Sequence, residues 1–326
     1  MNFTGRIIIV GGTGFVGQMV TSTLRRALPQ NVQISAISRR PPVEKIECVD
    51  YFRTDIHASN DFLSLIDSVD SVIWIAANRD HFASYSIVEK TNVAPINAAI
   101  THLATIMRKP KFIYLSSLSA VDGWNYRSGP ITDVSIACPT TPYGRSKLAA
   151  ETLLRRSTLD TAILRLPFLY GPNYSKMAFL AWCRDVVMGH IQRYLRLPGR
   201  LSLLHTSDLA DIILQLLVNQ SHNEMNQSNI WTISDGLIYP IDFILGEVAV
   251  IFERPLPPRR IFLPEATAKA FGLGAMRYWR HAAFKSDFVC DPVNFHTAFP
   301  RQYISIRHGL KSAYGVMQNA MPTADE

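Results

Sequence analysis

Cysteine is sparse in this 326-residue sequence and long apolar runs are missing, and both absences narrow its class. The four cysteines (Cys48, Cys138, Cys183, Cys290) are widely scattered, with no Cys-x-x-Cys and no histidine cluster beside them. That spacing argues against a disulfide scaffold and a zinc site, so reduced thiols and no metal are expected. The longest apolar stretches, such as residues 6–10 and 72–77, are strand-length, far below the roughly 20 residues that span a bilayer. No membrane span is expected. The first residues run into a strand pattern without a basic segment, apolar core and cleavage site, which points to the cytoplasm. Only 18% of residues are charged, and the net charge of +7 is spread over short clusters such as Arg25-Arg26, Arg39-Arg40 and Arg259-Arg260. With no arginine-rich tail and no basic run interleaved with aromatics, nucleic acid is not the expected partner. No internal repeat is visible. What is present is an ordinary globular composition, 48% hydrophobic, long enough for one large domain or two smaller ones.

The first half carries the signal. Arg6-Ile7-Ile8-Ile9-Val10 is a β-branched run of the kind buried on both faces of a parallel sheet. It feeds Gly11-Gly12-Thr13-Gly14-Phe15-Val16-Gly17 and then a helical pattern over residues 18–28. Glycines at these spacings let the backbone turn tightly, approach a pyrophosphate and pack a helix on the strand, while the helix start offers free N–H groups to the anion. Strand, glycines and helix in this order predict dinucleotide binding at Gly11, Thr13, Gly14, Phe15, Val16 and Gly17. The next strand, residues 32–37, ends in Ser38-Arg39-Arg40, where a fold choosing NAD usually places an acid. Guanidinium forks match phosphate oxygens, so NADP(H) is favoured, with NAD(H) as the alternative. A short strand over 51–55 would bring Asp55 and Ile56 to the adenine. The strand 71–77 ends in Ala76-Ala77, small enough for a cofactor to pass closely. A helical pattern over 86–107 carries Asn92 and Asn97, which are either buried structural amides or, for Asn92, a cofactor contact.

Residues 111–115 form the fifth strand, with Ser116-Ser117-Leu118-Ser119 at its carboxyl end, the side on which open parallel sheets bind ligands. A hydroxyl there donates to a substrate oxygen or simply makes a turn. In the helix 141–156, Tyr143 and Lys147 stand at i and i+4 on one face. A nearby ammonium favours the phenolate, so Lys147 is expected to lower the Tyr143 pKa and make a proton-transfer pair. Strand 161–166 runs into Pro167 and then Tyr170-Gly171-Pro172. In the second half, Arg193, Arg196 and Arg200 of a basic loop are either solvated or turned to a diphosphate. His205 reads as structural, and helices are expected over 177–188, 208–218 and 241–252, with a late strand over 229–234. Residues 266–283 are aromatic and basic, either a helix of the second lobe or a membrane-surface face, and residues 317–326 read as a frayed tail.

These pieces resemble the extended short-chain dehydrogenase/reductase family. The matching residues are Gly11-x-x-Gly14-x-x-Gly17, the Asp55 segment, Ile75-Ala76-Ala77, Ser116-Ser117, Tyr143-x-x-x-Lys147, Arg165-x-Pro167 with Tyr170-Gly171-Pro172, and the stretch from Arg200 to Ala210. Within the family the chain is most similar to bacterial nucleotide-diphosphosugar 4-epimerases and 4-keto-reductases. The resemblance implies an α/β doubly wound parallel sheet (Rossmann) from residues 1–172 and 204–235, with a smaller C-terminal substrate lobe from 173–203 and 236–326. It implies hydride transfer at C4 of a nucleotide-activated sugar, with Tyr143 exchanging the proton, Lys147 holding the ribose and a serine stabilising the oxyanion. That serine is Ser116, Ser117 or Ser119, with Ser117 chosen and Ser119 assigned to substrate together with Arg193 and Arg200. Pro167 joins the cofactor contacts. Leu118 and Ser119 stand where the family's dehydratases carry an acidic pair, which disfavours dehydration. A homodimer is compatible with this reading. Two alternatives stay open: an NADPH-dependent reductase or dehydrogenase of a non-sugar ketone, which Phe168, Phe179, Trp182 and Phe271 would suit, and a cofactor-sensing protein without catalysis.

Overall fold

The computed structural model describes residues 4–57, 60–81, 83–124, 128–172, 178–189, 191–219, 229–262 and 287–318. From the N-terminal side come β1 (Arg6–Val10), α1 (Phe15–Ala27), β2 (Gln33–Ser38), β3 (Asp50–Arg53), α2 (Asn60–Leu65) and β4 (Ser71–Trp74). Next are α3 (Tyr85–Asn92), α4 (Ala94–Leu103), β5 (Lys111–Ser117), α5 (Pro142–Arg156), β6 (Asp160–Leu166) and β7 (Phe168–Tyr170). Then follow α6 (Ala178–Met188), β8 (Leu195–Arg196), β9 (Arg200–Leu201), β10 (Leu203–His205), α7 (Thr206–Val218) and β11 (Ile230–Thr232). The chain continues through β12 (Tyr239–Pro240), α8 (Ile241–Ile251), β13 (Ile261–Phe262), α9 (Val293–Ala298) and α10 (Ile306–Gln318).

Seven strands form one parallel sheet in the order β11-β6-β5-β4-β1-β2-β3. The chain winds outward from β1 to β3, then returns to β1's other side at β4, which makes the β1/β4 boundary the switch point where such sheets open a crevice. Alternation along β1 explains the two flanking layers. Ile7 and Ile9 point to a cluster with Val20 and Leu24 of α1 and Leu209 and Ile213 of α7. Ile8 and Val10 point the other way, to Ile96 and Leu103 of α4 and Ala150 and Leu154 of α5. The doubly wound sheet expected from the sequence is the fold observed.

A third cluster joins Phe179, Trp182 and Val186 of α6, Ile244 and Val248 of α8, and Leu310 and Tyr314 of α10, with Leu118, Val121 and Ile131 packed into it. Short strand pairs β7/β10, β9/β12 and β8/β13 stand beside it. The segment around Cys290 returns to the body through bridges Ile131↔Cys290 and Leu201↔Phe288.

Several boundaries differ from the sequence reading. The helical pattern over 86–107 is two helices, because Pro95 near the start of α4 has no N–H to continue α3. The third strand ends at Arg53 and the fourth at Trp74, so Asp55, Ala76 and Ala77 lie on loops after their strands. The 266–283 segment lies outside the described residues, as do residues 319–326 of the C-terminal tail. Among the described residues, no helix is long and apolar enough to cross a membrane, and no group of three or more His, Cys, Asp or Glu could hold a metal ion.

Candidate active site

The glycine loop is held at the sheet switch point. Gly11 has φ +90°, a value L side chains rarely adopt, and a Cβ there would lie 2.8 Å from the Ala76 backbone nitrogen. A Cβ on Gly17 would lie 2.1 Å from the Gly11 carbonyl oxygen, so glycine is what lets α1 approach the loop. Gly14 caps α1 without a side-chain hydrogen bond, which leaves the first-turn N–H groups to an outside acceptor. A narrow cradle ending on a helix start suits a pyrophosphate, and the loop fits a dinucleotide. Thr13 Oγ1 donates to the Arg40 carbonyl (3.0 Å) and the Arg40 N–H donates to Ser38 Oγ (3.4 Å), which ties this loop to the end of β2. Arg39 and Arg40 are exposed there. Phe15 leans on the third cluster and Val16 on the α1/α7 layer. The Asp55 carboxylate accepts from the His57 N–H (3.0 Å), and Ile56 packs on the α4/α5 layer. Ala76 and Ala77 are half-buried, and Pro167 is buried between β6 and β7.

The second part of the site is built where α5 meets the end of β5. Thr141 caps α5 by accepting from the Gly144 N–H (3.0 Å), and Pro142 supplies a pre-set φ at the first helical position. The helix buries Tyr143, Lys147, Ala150, Glu151 and Leu154 on one face, an i, i+4, i+7, i+8, i+11 pattern. Gly144 is required because a Cβ would lie 2.1 Å from the Ser119 carbonyl. Tyr143 packs edge-on against the His81 ring, with centroids 4.6 Å apart, and the Ser117 hydroxyl is near enough to its phenol to favour the phenolate. Lys147 Nζ donates to the Leu115 carbonyl (2.7 Å) and lies 4.7 Å from the Tyr114 ring centroid and 5.8 Å from that of Tyr143.

The three candidate serines separate by their partners. Ser116 Oγ donates to buried Glu151 (2.5 Å), and Ser119 is itself 3% exposed. Ser117 Oγ accepts from the Ser119 N–H (3.1 Å) and faces Tyr143. The structure thus brings Ser117, Tyr143 and Lys147 together.

One expectation is overturned. The Tyr143 pKa lies above its ordinary value, not below it: burial pushes the phenol up to about 12, and the Arg79 guanidinium and the Ser117 hydroxyl only partly offset it. The physical reason is that the same burial strips water from Lys147, whose pKa falls to about 7 against the pull of Glu151. Asn92 is 2% exposed and spends its amide on the protein, accepting from the Asn78 N–H (2.7 Å) and donating to the Asn78 carbonyl (2.9 Å) and Ser146 Oγ (2.9 Å). It fixes the loop after β4 to α5. His205 is the cap of α7, accepting from the Ser207 N–H (3.2 Å), and burial lowers its pKa to about 4.

The arginines assigned to substrate have protein partners. Arg193 Nη2 donates to the Pro255 carbonyl (3.0 Å), and Arg200 makes a two-pronged ion pair with Asp287, with Nε at 2.8 Å from Oδ1. Three residues with a hand in the site escaped sequence reading. His81 and Arg79 sit on the loop after β4, where no periodicity marks them. Glu151 carried a usable signal: an acid four residues after Lys147, on the face that also carries Ala150 and Leu154.

Over residues 7–231 the chain matches the NAD dependent epimerase/dehydratase family. It is 27% identical over 177 residues to the UDP-glucose 4-epimerase of Streptococcus mutans serotype c, covering 50% of this chain and 50% of that protein. It is likewise 27% identical over 175 residues to the methionine adenosyltransferase 2 subunit beta of Mus musculus, covering 51% of this chain and 47% of the relative. The matches thus span about half the length of these curated relatives. In fold it is similar to the UDP-glucuronic acid 4-epimerase of Bacillus cereus solved with UDP-glucuronic acid and NAD. That structure has TM-score 0.75 and 17% identity, with 97% of this chain and 100% of the other covered.

Proposed function

Because the chain belongs to the NAD dependent epimerase/dehydratase family, we propose that it performs hydride chemistry at C4 of a nucleotide-activated sugar, as an epimerase or a 4-keto-reductase. The observation that carries this reading is the cluster of Tyr143, Ser117 and Lys147 at the end of β5, on the same edge of the sheet as the glycine loop. A bound nicotinamide dinucleotide would supply or accept the hydride. Gly11, Gly14 and Gly17 would cradle it, Asp55, Ile56, Ala76, Ala77 and Pro167 would line its path, and Lys147 would face its ribose. With its phenol held near pKa 12, Tyr143 is protonated at neutral pH and so carries the proton that a substrate carbonyl would take, although its burial makes it a weaker acid than a free phenol. Ser117 would donate to the same oxygen and stabilise its developing charge. In the reverse direction Tyr143 takes the proton back, which needs cationic charge beside it; Lys147 and Arg79 would provide that.

Two finer readings belong to the proposal. The exposed Arg39 and Arg40 after Ser38, with no acid among them, favour NADP(H), although the B. cereus neighbour was solved with NAD. Substrate would lie between the sheet and a lobe formed by residues 173–203 and 236–326. Sugar is preferred to a hydrophobic ketone because Phe179 and Trp182 are only 3% and 2% exposed, consumed by the core of that lobe. Phe271 lies outside the described residues. A cofactor-sensing protein without turnover is the second reading, since the same glycine loop would bind a dinucleotide whether or not Tyr143 acts.

The test is to release and weigh any dinucleotide or nucleotide sugar that co-purifies, then to assay UDP- and other nucleotide sugars with the wild type and Tyr143→Phe. Loss of turnover by roughly 10²–10⁴ in the variant is expected. A variant as active as the wild type would refute the catalytic role of Tyr143, and a wild type that binds dinucleotide but turns over no sugar would favour the second reading.

A further inference from the structure

Beneath the Tyr143–Ser117–Lys147 group lies a buried carboxylate that the proposed chemistry does not use. Glu151 stands one helical turn after Lys147 on the inward face of α5. Its side chain is 1% exposed and that of its partner Arg165 is 4% exposed. Both carboxylate oxygens are gripped: Ser116 Oγ donates to Oε1 at 2.5 Å, and Arg165 donates through Nη2 to Oε2 at 2.8 Å and through Nε at 3.2 Å to Oε1. These partners come from two different strands. Ser116 lies on β5 between Leu115, whose carbonyl receives the Lys147 amine, and Ser117, which meets Tyr143. Arg165 lies beside Ser116 across the β5/β6 ladder.

A buried carboxylate that already neutralises one buried cation sits close to a second one. We propose that Glu151 is a positioning residue for Lys147, its carboxylate fixed by Ser116 and Arg165 so that the Lys147 amine, directed at the end of β5, keeps its proton more readily than its burial alone would allow. The groups around that amine act in both directions. Tyr143 and Glu151 approach it from α5, Tyr114 from β5, Arg165 from β6 beyond Glu151, and Arg79 from the loop after β4. Glu151 works against burial, whereas the Arg79 charge works with it. Without Glu151 the two opposing influences act unchecked, the amine is neutral under working conditions, and no cation adjoins the phenol when it must give up its proton.

The proposal rests on the catalytic reading of Lys147 only for its consequence, and its test needs neither substrate nor cofactor. Protein labelled with 13Cε-lysine is titrated by NMR, the Lys147 signal being assigned by its loss in Lys147→Met. Glu151→Gln alone strands the buried Arg165 charge and risks unfolding, so the informative variant is the double Glu151→Gln/Arg165→Met, which removes both charges. Its fold is checked by circular dichroism. The wild-type midpoint is expected at about pH 7. In the double variant it should fall by at least about one pH unit, a tenfold weaker hold on the proton, whereas Arg165→Lys, which keeps a cation for Glu151, should leave it near the wild-type value. Coincident midpoints in the folded double variant and the wild type would overturn the proposal. If the midpoint moves as expected while no nucleotide sugar is turned over by the wild type, the functional reading fails and Glu151 keeps its assignment.

Discussion

Two pairs of basic residues in this molecule have opposite fates. Lys147 on α5 and Arg165 on β6 are buried, at 2% and 3% exposure; Arg165 pairs with the carboxylate of Glu151, which also offsets part of the cost of burying Lys147. Arg193 and Arg200 belong to the second half, where Arg193 reaches a carbonyl and Arg200, with its side chain 52% exposed, pairs with Asp287. The chemistry of the groups is alike, but the solvent is not. A buried cation has lost its water and depends on its partner, whereas an exposed one exchanges a partner for water at little cost. The difference teaches that charge near a site says little until its burial is known: the buried cations are bound to what the fold packs around them, whereas exposed Arg200 can trade its partner for water or a ligand at little cost.

Substitutions at these cations break or sharpen that contrast. Arg165→Ala should have the largest effect, because it strands Glu151 as an unpaired buried charge; a stability loss of about 3–5 kcal/mol is expected in urea unfolding. A loss below about 1 kcal/mol would mean that water reaches the pair and the contrast is false. Lys147→Met comes next, with a pH signature. Burial pulls the pKa of the folded lysine down from its ordinary 10.5 to about 7, so the cost of burying its ammonium is present in full below pH 7. Between those two values the unfolded chain holds a proton that the folded chain lacks, and wild-type stability rises with pH. The variant should therefore melt above the wild type at pH 6, with the gap narrowing steadily toward pH 10. A gap independent of pH would place the lysine in water.

Smaller effects are expected where the cations are exposed. Arg39→Ala should reduce the preference for NADPH over NADH about tenfold or more, the worth of a charge-assisted hydrogen bond, with no change in melting temperature. Unchanged relative affinities would remove Arg39 from the cofactor site. Arg200→Ala should alter stability by less than about 1 kcal/mol. If it also raises the KM of a nucleotide sugar tenfold or more, Arg200 leaves Asp287 for the ligand and the substrate assignment stands; an unchanged KM confines Arg200 to its ion pair.

Local pattern carried much of this protein into view. The β-branched run in Arg6–Val10, the glycine spacing that follows and the i, i+4 placement of Tyr143 and Lys147 depend on short-range geometry, which a sequence spells out directly. They sufficed for the doubly wound sheet and for the residues to watch. The tertiary structure alone decided which serine meets Tyr143, because Ser116, Ser117 and Ser119 differ only in what β5 and α5 turn toward them. It decided that burial pulls the Lys147 pKa down to about 7 and pushes the Tyr143 phenol up to about 12, since desolvation depends on everything packed around a group. It also decided that Arg200 meets Asp287, 87 residues away in the chain. Dihedral preference and periodicity act over a turn or a strand, whereas burial and charge pairing are fixed only when the sheet and its helices close on one another.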